Sequence, residues 1–288
     1  MAEDLRRFVV FGDLSKKHVS KAADGFSRFA SDKAEVSAVC DITECRAEAL
    51  GGADYAVVFG GDGTIISAAR QLSQSGVPVI GVNLGKLGFL AEFGLNEIER
   101  NFQDILSGNC AVEERMMLNC TITSGGRQSF RAVAINDVFI TSGPPFRLIE
   151  LNIFVDEQSV ADCVSDGLVI ATPTGSTAYN LSAGGPIISG DVRAMVITPI
   201  CPHSLTFRPI VINSQSRVRV VGLRVNEGTT VSIDGQSSCR MGLDDVVEIV
   251  RHEGIFEVVN NPERNQWDTL ARKLGWAAKL NYLDRGKK

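Results

Sequence analysis

Gly60-Gly61-Asp62-Gly63-Thr64 sets one carboxylate among three glycines, directly after the apolar run Tyr55-Ala56-Val57-Val58-Phe59. Glycine lets a backbone approach a ligand closely and take positive φ. The N–H groups that open a following helix favour phosphate. A carboxylate in that place repels phosphate, so Asp62 is a poor choice for phosphate binding alone. It suits a different task, orienting and deprotonating a hydroxyl that attacks a phosphate. The structural alternative is a turn in which Asp62 caps the helix.

A second cluster runs from Asp166-Gly167 through Thr172-Pro173-Thr174-Gly175-Ser176-Thr177-Ala178-Tyr179-Asn180-Leu181-Ser182 to Gly184-Gly185-Pro186. Its hydroxyls and amides suit ribose and phosphate oxygens, and Tyr179 can stack on a planar ring. A polar stretch of this length is either functional or a solvent-facing Ω-loop. Asn136-Asp137 interrupts the apolar run Ala132 to Ile140, and buried polar groups need partners, from a ligand or from nearby backbone. Asp234-Gly235-Gln236 ends a strand, where a hairpin turn is the plain reading. His203 in Cys201-Pro202-His203-Ser204-Leu205 is one of three histidines, and a lone histidine is more often structural. Familiar phosphate motifs are missing. Gly81-Val82-Asn83-Leu84-Gly85-Lys86 is one residue short of a P-loop, with Leu87 where a Ser or Thr should hold magnesium. No G-x-G-x-x-G follows the early strands, and neither a nucleophile–His–acid set nor a metal-ligand cluster is present in the sequence.

These residues are positioned by two kinds of element. In the first third, strand patterns at Phe8–Phe11, Val36–Cys40, Tyr55–Phe59 and from Val77 alternate with helical patterns at about 15–30, 43–50 and from Ile65 to Leu72, closed by Gly76. Strand, glycine loop, helix, strand is a βαβ unit, and three of them predict a doubly wound, Rossmann-like α/β domain. From Arg115 to about 260 the texture changes to short β-branched runs separated by turn signals, predicting an all-β domain. The runs are Leu118–Thr123, Ala132–Thr141, Ile149–Val155, Leu168–Thr172, Met195–Thr198, Val218–Val221, Thr230–Ile233 and Val246–Val250. Residues 265–283 are helical, with Trp267, Leu270, Leu274 and Ala277 or Ala278 on one face. The expected division is 1–114, with the C-terminal helix (263–288) returning to it, and 115–262.

Composition sets the outer limits. The 288 residues are 44% hydrophobic and 22% charged, a globular profile. A net charge of −5 lacks the positive field of a nucleic-acid binder. Seven scattered cysteines with no C-x-x-C pair suggest free thiols in a reducing compartment. No apolar stretch approaches the ~20 residues of a membrane span. The expectation is a cytoplasmic protein.

Taken together, Gly60–Thr64, Gly81-Val82-Asn83 with Leu87-Gly88-Phe89-Leu90, Asn136-Asp137, Asp166-Gly167 with Thr172–Ser182, Pro202–Leu205 with Arg208-Pro209, and Asp234-Gly235-Gln236 resemble the NAD kinase family. Leu274-Gly275-Trp276 looks like that family's C-terminal helix. The glycine loop alone is shared with lipid kinases; the Thr172–Tyr179 segment beside the other motifs is far more specific. The resemblance implies ATP-dependent phosphorylation of the 2′-hydroxyl of the adenosine ribose of NAD, giving NADP. It makes Asp62 the proton acceptor. It puts Gly61, Gly63, Phe89, Asn136, Asp137, Asp166, Thr177, Ala178, Tyr179, Asn180, Leu181 and Ser182 around the nucleotide, with Arg147 and Gln236 as further contacts. It implies Mg²⁺ or another divalent metal arriving with ATP, with no protein ligands assigned to it. It implies a homodimer or homotetramer in which a neighbouring chain supplies some contacts, and neither nucleic-acid nor membrane partners. Many relatives carry Asn-Glu at Asn136-Asp137; aspartate keeps the charge and shortens the reach by one methylene. Two rival readings use the same residues: a lipid kinase, which needs an apolar entry or membrane-binding face, and a non-catalytic NAD(H) sensor, which has no need of Asp62.

Overall fold

The computed structural model describes residues 5–43, 51–85 and 88–275. The helix expected at 43–50 falls almost wholly outside them, as do Leu87 and Trp276 of the family motifs. The chain divides into two compact units. One comprises Met1–Ala68, Val77–Glu113 and Val258–Lys288; the other comprises Ala69–Gly76 and Glu114–Glu257.

The first unit is the α/β domain. Its strands are β1 (Arg7–Gly12), β2 (Glu35–Asp41), β3 (Tyr55–Phe59), β4 (Val79–Asn83) and the two-residue β5 (Phe93–Gly94). They pair in parallel in the order β2-β1-β3-β4-β5. Strands β1, β3 and β4 read as continuous apolar runs because helices cover both faces. On one face α1 (Lys17–Ala30) buries Val19, Ala22, Ala23, Phe26 and Ala30. Beside it lie two short helices, α3 (Leu95–Arg100) and α4 (Phe102–Leu106), which sequence patterning did not predict. They share a core with Phe8, Val10, Val57, Phe59, Ile80 and Val82. Rings of Phe26 and Phe102 meet edge to face, 5.7 Å between centroids. The opposite face takes the first turns of α2 (Asp62–Leu72), whose Ile65 approaches Gly81 so closely that a β-carbon there would meet it.

The second unit is the all-β domain, two packed sheets. One, antiparallel, has six strands in the order β13 (Ile210–Asn213), β12 (Ala194–Ile200), β11 (Gly167–Ala171), β8 (Asp137–Thr141), β15 (Thr230–Ile233) and β16 (Ser237–Arg240). The other contains β10 (Gln158–Ser165), β9 (Ile149–Val155), β14 (Val218–Arg224) and β17 (Val246–Val259), with β6 (Val112–Ser124) and β7 (Arg127–Ala134). Inward residues of both, among them Ile122, Ile140, Leu151, Ile170, Val220 and Ile249, form one core. The outer face of β11 is covered as well. Val169, Ala171 and Val196 pack against Ala183 and Ile188 of the segment that follows β11. That segment is therefore a structural cover and not a solvent-facing Ω-loop. It folds as a 3₁₀ turn at Thr174–Thr177 and then α5 (Tyr179–Ser182).

Two sequence expectations change in detail. The single run Ala132–Thr141 is two strands, β7 and β8, broken at Ile135-Asn136. The break is held by a carboxylate described below. The C-terminal helix, α6 (Gln266–Leu274), is capped by the Asn265 side chain and closed by Gly275 at φ 61°. Its buried face is Thr269 and Leu270, whereas Trp267 and Leu274 are 54% and 41% exposed. Among the described residues the contact face is thus centred on 269, 270 and 273 and not on 267, 270 and 274, and the expected Ala277 and Ala278 lie outside them. A salt bridge just before α6, Arg264 to both oxygens of Glu97 at 2.7 and 2.8 Å, fixes the approach of the chain to its own unit.

Candidate active site

In the first unit the glycine loop is the β3–α2 turn. Gly60 N–H donates to the Val82 carbonyl at 2.9 Å, and the Gly61 carbonyl accepts the first helical bonds from Thr64 and Ile65. Asp62 opens α2, where a negative charge suits the helix dipole. Its carboxylate is held by three consecutive backbone N–H groups. Phe89 donates to Oδ2 at 2.9 Å, Leu90 to Oδ1 at 2.9 Å and Ala91 to Oδ1 at 3.2 Å. A β-carbon at Gly88 would overlap this carboxylate, so the close approach requires glycine. The Gly88-Phe89-Leu90 part of the motif thus has a visible task in this unit, which is to seat Asp62. Gly61 and Gly63 lie exposed beside it, and Phe89 is half-buried. Lys273 of α6 completes the group. Its ammonium is 3.4 Å from Asp62 Oδ2 and 4.7 Å from the centroid of the Phe89 ring. No sequence pattern singled out Lys273.

In the second unit three motifs far apart in sequence meet at one end of the six-stranded sheet. Strand β8 is central, with β11 and β15 on either side, so Asp137 stands opposite Ala171 in one ladder and just beyond Ile233 in the other. The Asp234 side chain, fully buried, accepts from the N–H groups of Ile135, Asn136 and Asp137 at 2.8 to 3.1 Å. This is what breaks β7 from β8. The Asn136 carbonyl accepts from Thr172 N–H at 2.8 Å, and Thr172 Oγ1 donates to the Ile135 carbonyl at 2.7 Å. A β-carbon at Gly175 would run into the Asn136 backbone, so the Thr172–Ser182 segment depends on that glycine for its seat. Tyr179 N–H reaches the Asp137 carboxylate. Arg70 lies 3.9 Å from Asp234 Oδ2 and donates to Gln236 Oε1.

The electrostatics of this corner are unusual for its two acids. Burial pushes the Asp137 carboxyl up to about 7, the charge of Asp234 adds to the effect, and the Tyr179 N–H opposes it. Burial also raises Asp234, against the pull of its three N–H donors and of Arg70. Sequence reading gave Asp234 only a turn; its positive φ of 51° fits that, but its carboxylate organises the site.

The remaining candidates sort by location. Thr177, Ala178 and Leu181 are half-buried; Ser182 is exposed, and Tyr179 is 37% exposed with its ring edge-on to Phe139, centroids 4.8 Å apart. Asn180 is fully buried. Its amide donates to the carbonyls of Ser176 and Pro186 and accepts from Thr198 Oγ1 at 2.6 Å, so its side chain holds the segment together. Asp166 and Arg147 are not brought to this cluster. Asp166 precedes β11, whereas Thr172 follows it, and the five strand residues between them set the two about 20 Å apart. The exposed Arg147 lies at that far end, its carbonyl accepting from Asn226.

Among the described residues no group of three or more His, Cys, Asp or Glu side chains is placed to hold a metal. The acids of the two clusters are already engaged: Asp62 by three N–H groups and a lysine, Asp234 by three N–H groups, and Asp137 by the Tyr179 N–H. Such a donor set does not form a protein cage, but it is compatible with magnesium carried on nucleotide phosphates, its usual mode. No helix among the described residues is long and apolar enough to cross a membrane, and the described cysteines are free thiols.

Comparison with known proteins gives a consistent result. Residues 4–110 match the ATP-NAD kinase N-terminal domain family and residues 135–261 the ATP-NAD kinase C-terminal domain family. The NAD kinase of Desulforamulus reducens is 43% identical over 221 residues, 77% of each chain. That of Syntrophotalea carbinolica is 40% identical over 231 residues, 80% of this chain and 81% of the other. The crystal structure of yeast NADH kinase complexed with NADH superposes with a TM-score of 0.86 at 25% identity, covering 98% of this chain and 91% of the other. An NAD kinase from Archaeoglobus fulgidus in complex with ATP shares the fold, with a TM-score of 0.75 over 93% of this chain and 98% of that one, at 24% identity. With both domain families matched in order, and relatives at 40% identity and above over most of their length, the chain belongs to the NAD kinase family of enzymes.

Proposed function

We propose that this enzyme transfers the γ-phosphoryl group of ATP to the 2′-hydroxyl of the adenosine ribose of NAD, giving NADP, with Asp62 as the proton acceptor. The observation that carries the reading is the seating of Asp62. Three N–H donors aim its carboxylate from the glycine loop at the start of a helix, where phosphate binding alone would disfavour a negative charge. A ribose hydroxyl is a poor nucleophile and a carboxylate a modest base for it. General-base help contributes about 10²–10⁴-fold, and alignment must supply much of the remainder. Magnesium on the ATP phosphates neutralises charge when bound. The loop amides of Gly61 and Gly63 orient phosphate oxygens, and Phe89 packs near the dinucleotide.

In the second unit Asn136, Asp137, Thr177, Ala178, Tyr179, Leu181, Ser182 and Gln236 contact the dinucleotide, with Tyr179 stacking on a planar ring. Asn180 and Asp234 position them from within. On this reading Asp166 and Arg147 contribute from a neighbouring chain, in a cytoplasmic homodimer or homotetramer. The test is NADP formation by purified protein from NAD, ATP and Mg²⁺, followed with an NADP-specific dehydrogenase. A folded protein that binds NAD and makes no NADP would replace this reading with that of a sensor.

A further inference from the structure

A carboxylate has about four lone-pair directions to fill. Those of Asp62 are filled by Phe89 N–H, Leu90 N–H, Ala91 N–H and the Lys273 ammonium. A hydroxyl that is to hand its proton to Asp62 must come within about 2.6–3.2 Å of one of its oxygens. One of the four partners must therefore yield. Three are backbone groups fixed in the Gly88–Ala91 turn. The fourth sits on a flexible four-carbon stem, is 29% exposed, and at 3.4 Å is longer than the ~2.7–2.9 Å of a strong charge-assisted bond.

We infer that Lys273 is a displaceable plug on the base. The attacking hydroxyl takes its place at Asp62 Oδ2, and the released ammonium moves onto the phosphoryl group being transferred. The Phe89 ring, 4.7 Å from the ammonium, keeps the cation in the neighbourhood while it exchanges partners. The developing charge on the phosphoryl oxygens is what an ammonium left without its carboxylate would seek. In the step itself the ribose oxygen forms a bond to the γ-phosphorus, the bond from that phosphorus to the bridging oxygen of ADP breaks, and the hydroxyl proton passes to Asp62. Lys273 stays protonated throughout. The arrangement gives the C-terminal helix a chemical task and supplies a mobile cation to a loop that is otherwise all glycine, amide and carboxylate.

The inference rests on the proton-acceptor reading of Asp62, and the experiment separates the two. Full-length wild type, Lys273→Met and Lys273→Arg are compared by steady-state NADP formation, by calorimetric titration with NAD alone, and by melting temperature. Absence of wild-type turnover would remove the reaction itself and this inference with it. Given wild-type turnover, Lys273→Met should lower kcat by about 10–100-fold and raise the KM for ATP several-fold. NAD should bind that variant as tightly as wild type or more tightly, because the plug is gone. Lys273→Arg should recover much of the kcat. Unchanged kcat and KM for ATP in Lys273→Met would overturn the phosphate role. Weaker NAD binding with a lowered melting temperature would show that the contact is structural and overturn the displacement.

Discussion

Replacing Asp234 tests whether one buried carboxylate organises the second unit. Its Oδ1 accepts from Ile135 at 3.1 Å, Asn136 at 2.8 Å and Asp137 at 3.1 Å, while Oδ2 accepts a second contact from Ile135 at 3.0 Å and faces Arg70 at 3.9 Å. Alanine leaves three N–H groups without an acceptor in a protein interior. At ~1–3 kcal/mol each, reduced by water entering the space, the loss is about 3–5 kcal/mol. Asparagine keeps an oxygen at the Oδ1 position and with it all three bonds. It gives up the second contact from Ile135 and the attraction of Arg70, and at the same time relieves the repulsion on Asp137, so its net cost is about 1–2 kcal/mol. Urea denaturation followed by circular dichroism measures both. Because Asn136 and Asp137 hang from this carboxylate, Asp234→Ala should also weaken NAD binding by at least about tenfold, ~1.4 kcal/mol, and Asp234→Asn by much less. If the two variants were equally stable to within about 0.5 kcal/mol, the charge and not the acceptor geometry would be what matters, and the reasoning would fail.

Two other substitutions probe the same account. Gly88→Ala should displace the turn that seats Asp62 and lower kcat by about 10²-fold, the penalty for misplacing a catalytic group by an ångström, with NAD affinity changing little; a fully active Gly88→Ala enzyme would show that the seat is not needed. Asp137 carries a pH signature. Its folded-state carboxyl titrates near 7, so between about pH 4 and 7 the native state holds a proton that the unfolded chain has released. The stabilisation from that proton is complete below about pH 4 and is lost as the pH rises through 7. Stability should therefore fall between about pH 4 and pH 7, and Asp137→Asn should flatten that slope; an equal slope in the variant would assign the effect to other groups.

Local patterns made much of this legible in the sequence. Strand β3, the glycine loop and the helix after it announce themselves through an unbroken apolar run, three glycines and i, i+4, i+7 spacing. Ile149–Val155 and Thr230–Ile233 are strands to the residue, because each is a short β-branched run between turn signals. What could not be read depended on long-range contacts. The break at Ile135-Asn136 is imposed by Asp234, about a hundred residues later, within a run whose composition favours an unbroken strand. Helices α3 and α4 are too short to show a period. Strand β17 continues to Val259 through Arg251, His252, Glu253 and Gly254, a polar stretch that masks it. In sequence the hydroxyls of the Thr172–Ser182 segment suit a ligand or solvent, and their structural task is hidden; in the fold Thr172 and Ser176 satisfy the Ile135, Pro173 and Ile188 backbone groups. Lys273 is invisible by any pattern, since its partner lies 211 positions away.

The most direct test of the central claim is the turnover of Asp62→Asn with NAD and ATP beside a titration of NAD binding. Asparagine keeps the size of the side chain and an acceptor for Leu90 and Ala91 but removes the proton-accepting charge. NAD affinity should stay within a few-fold of wild type while kcat falls by about 10²–10⁴-fold. An Asp62→Asn enzyme that forms NADP at the wild-type rate would contradict it.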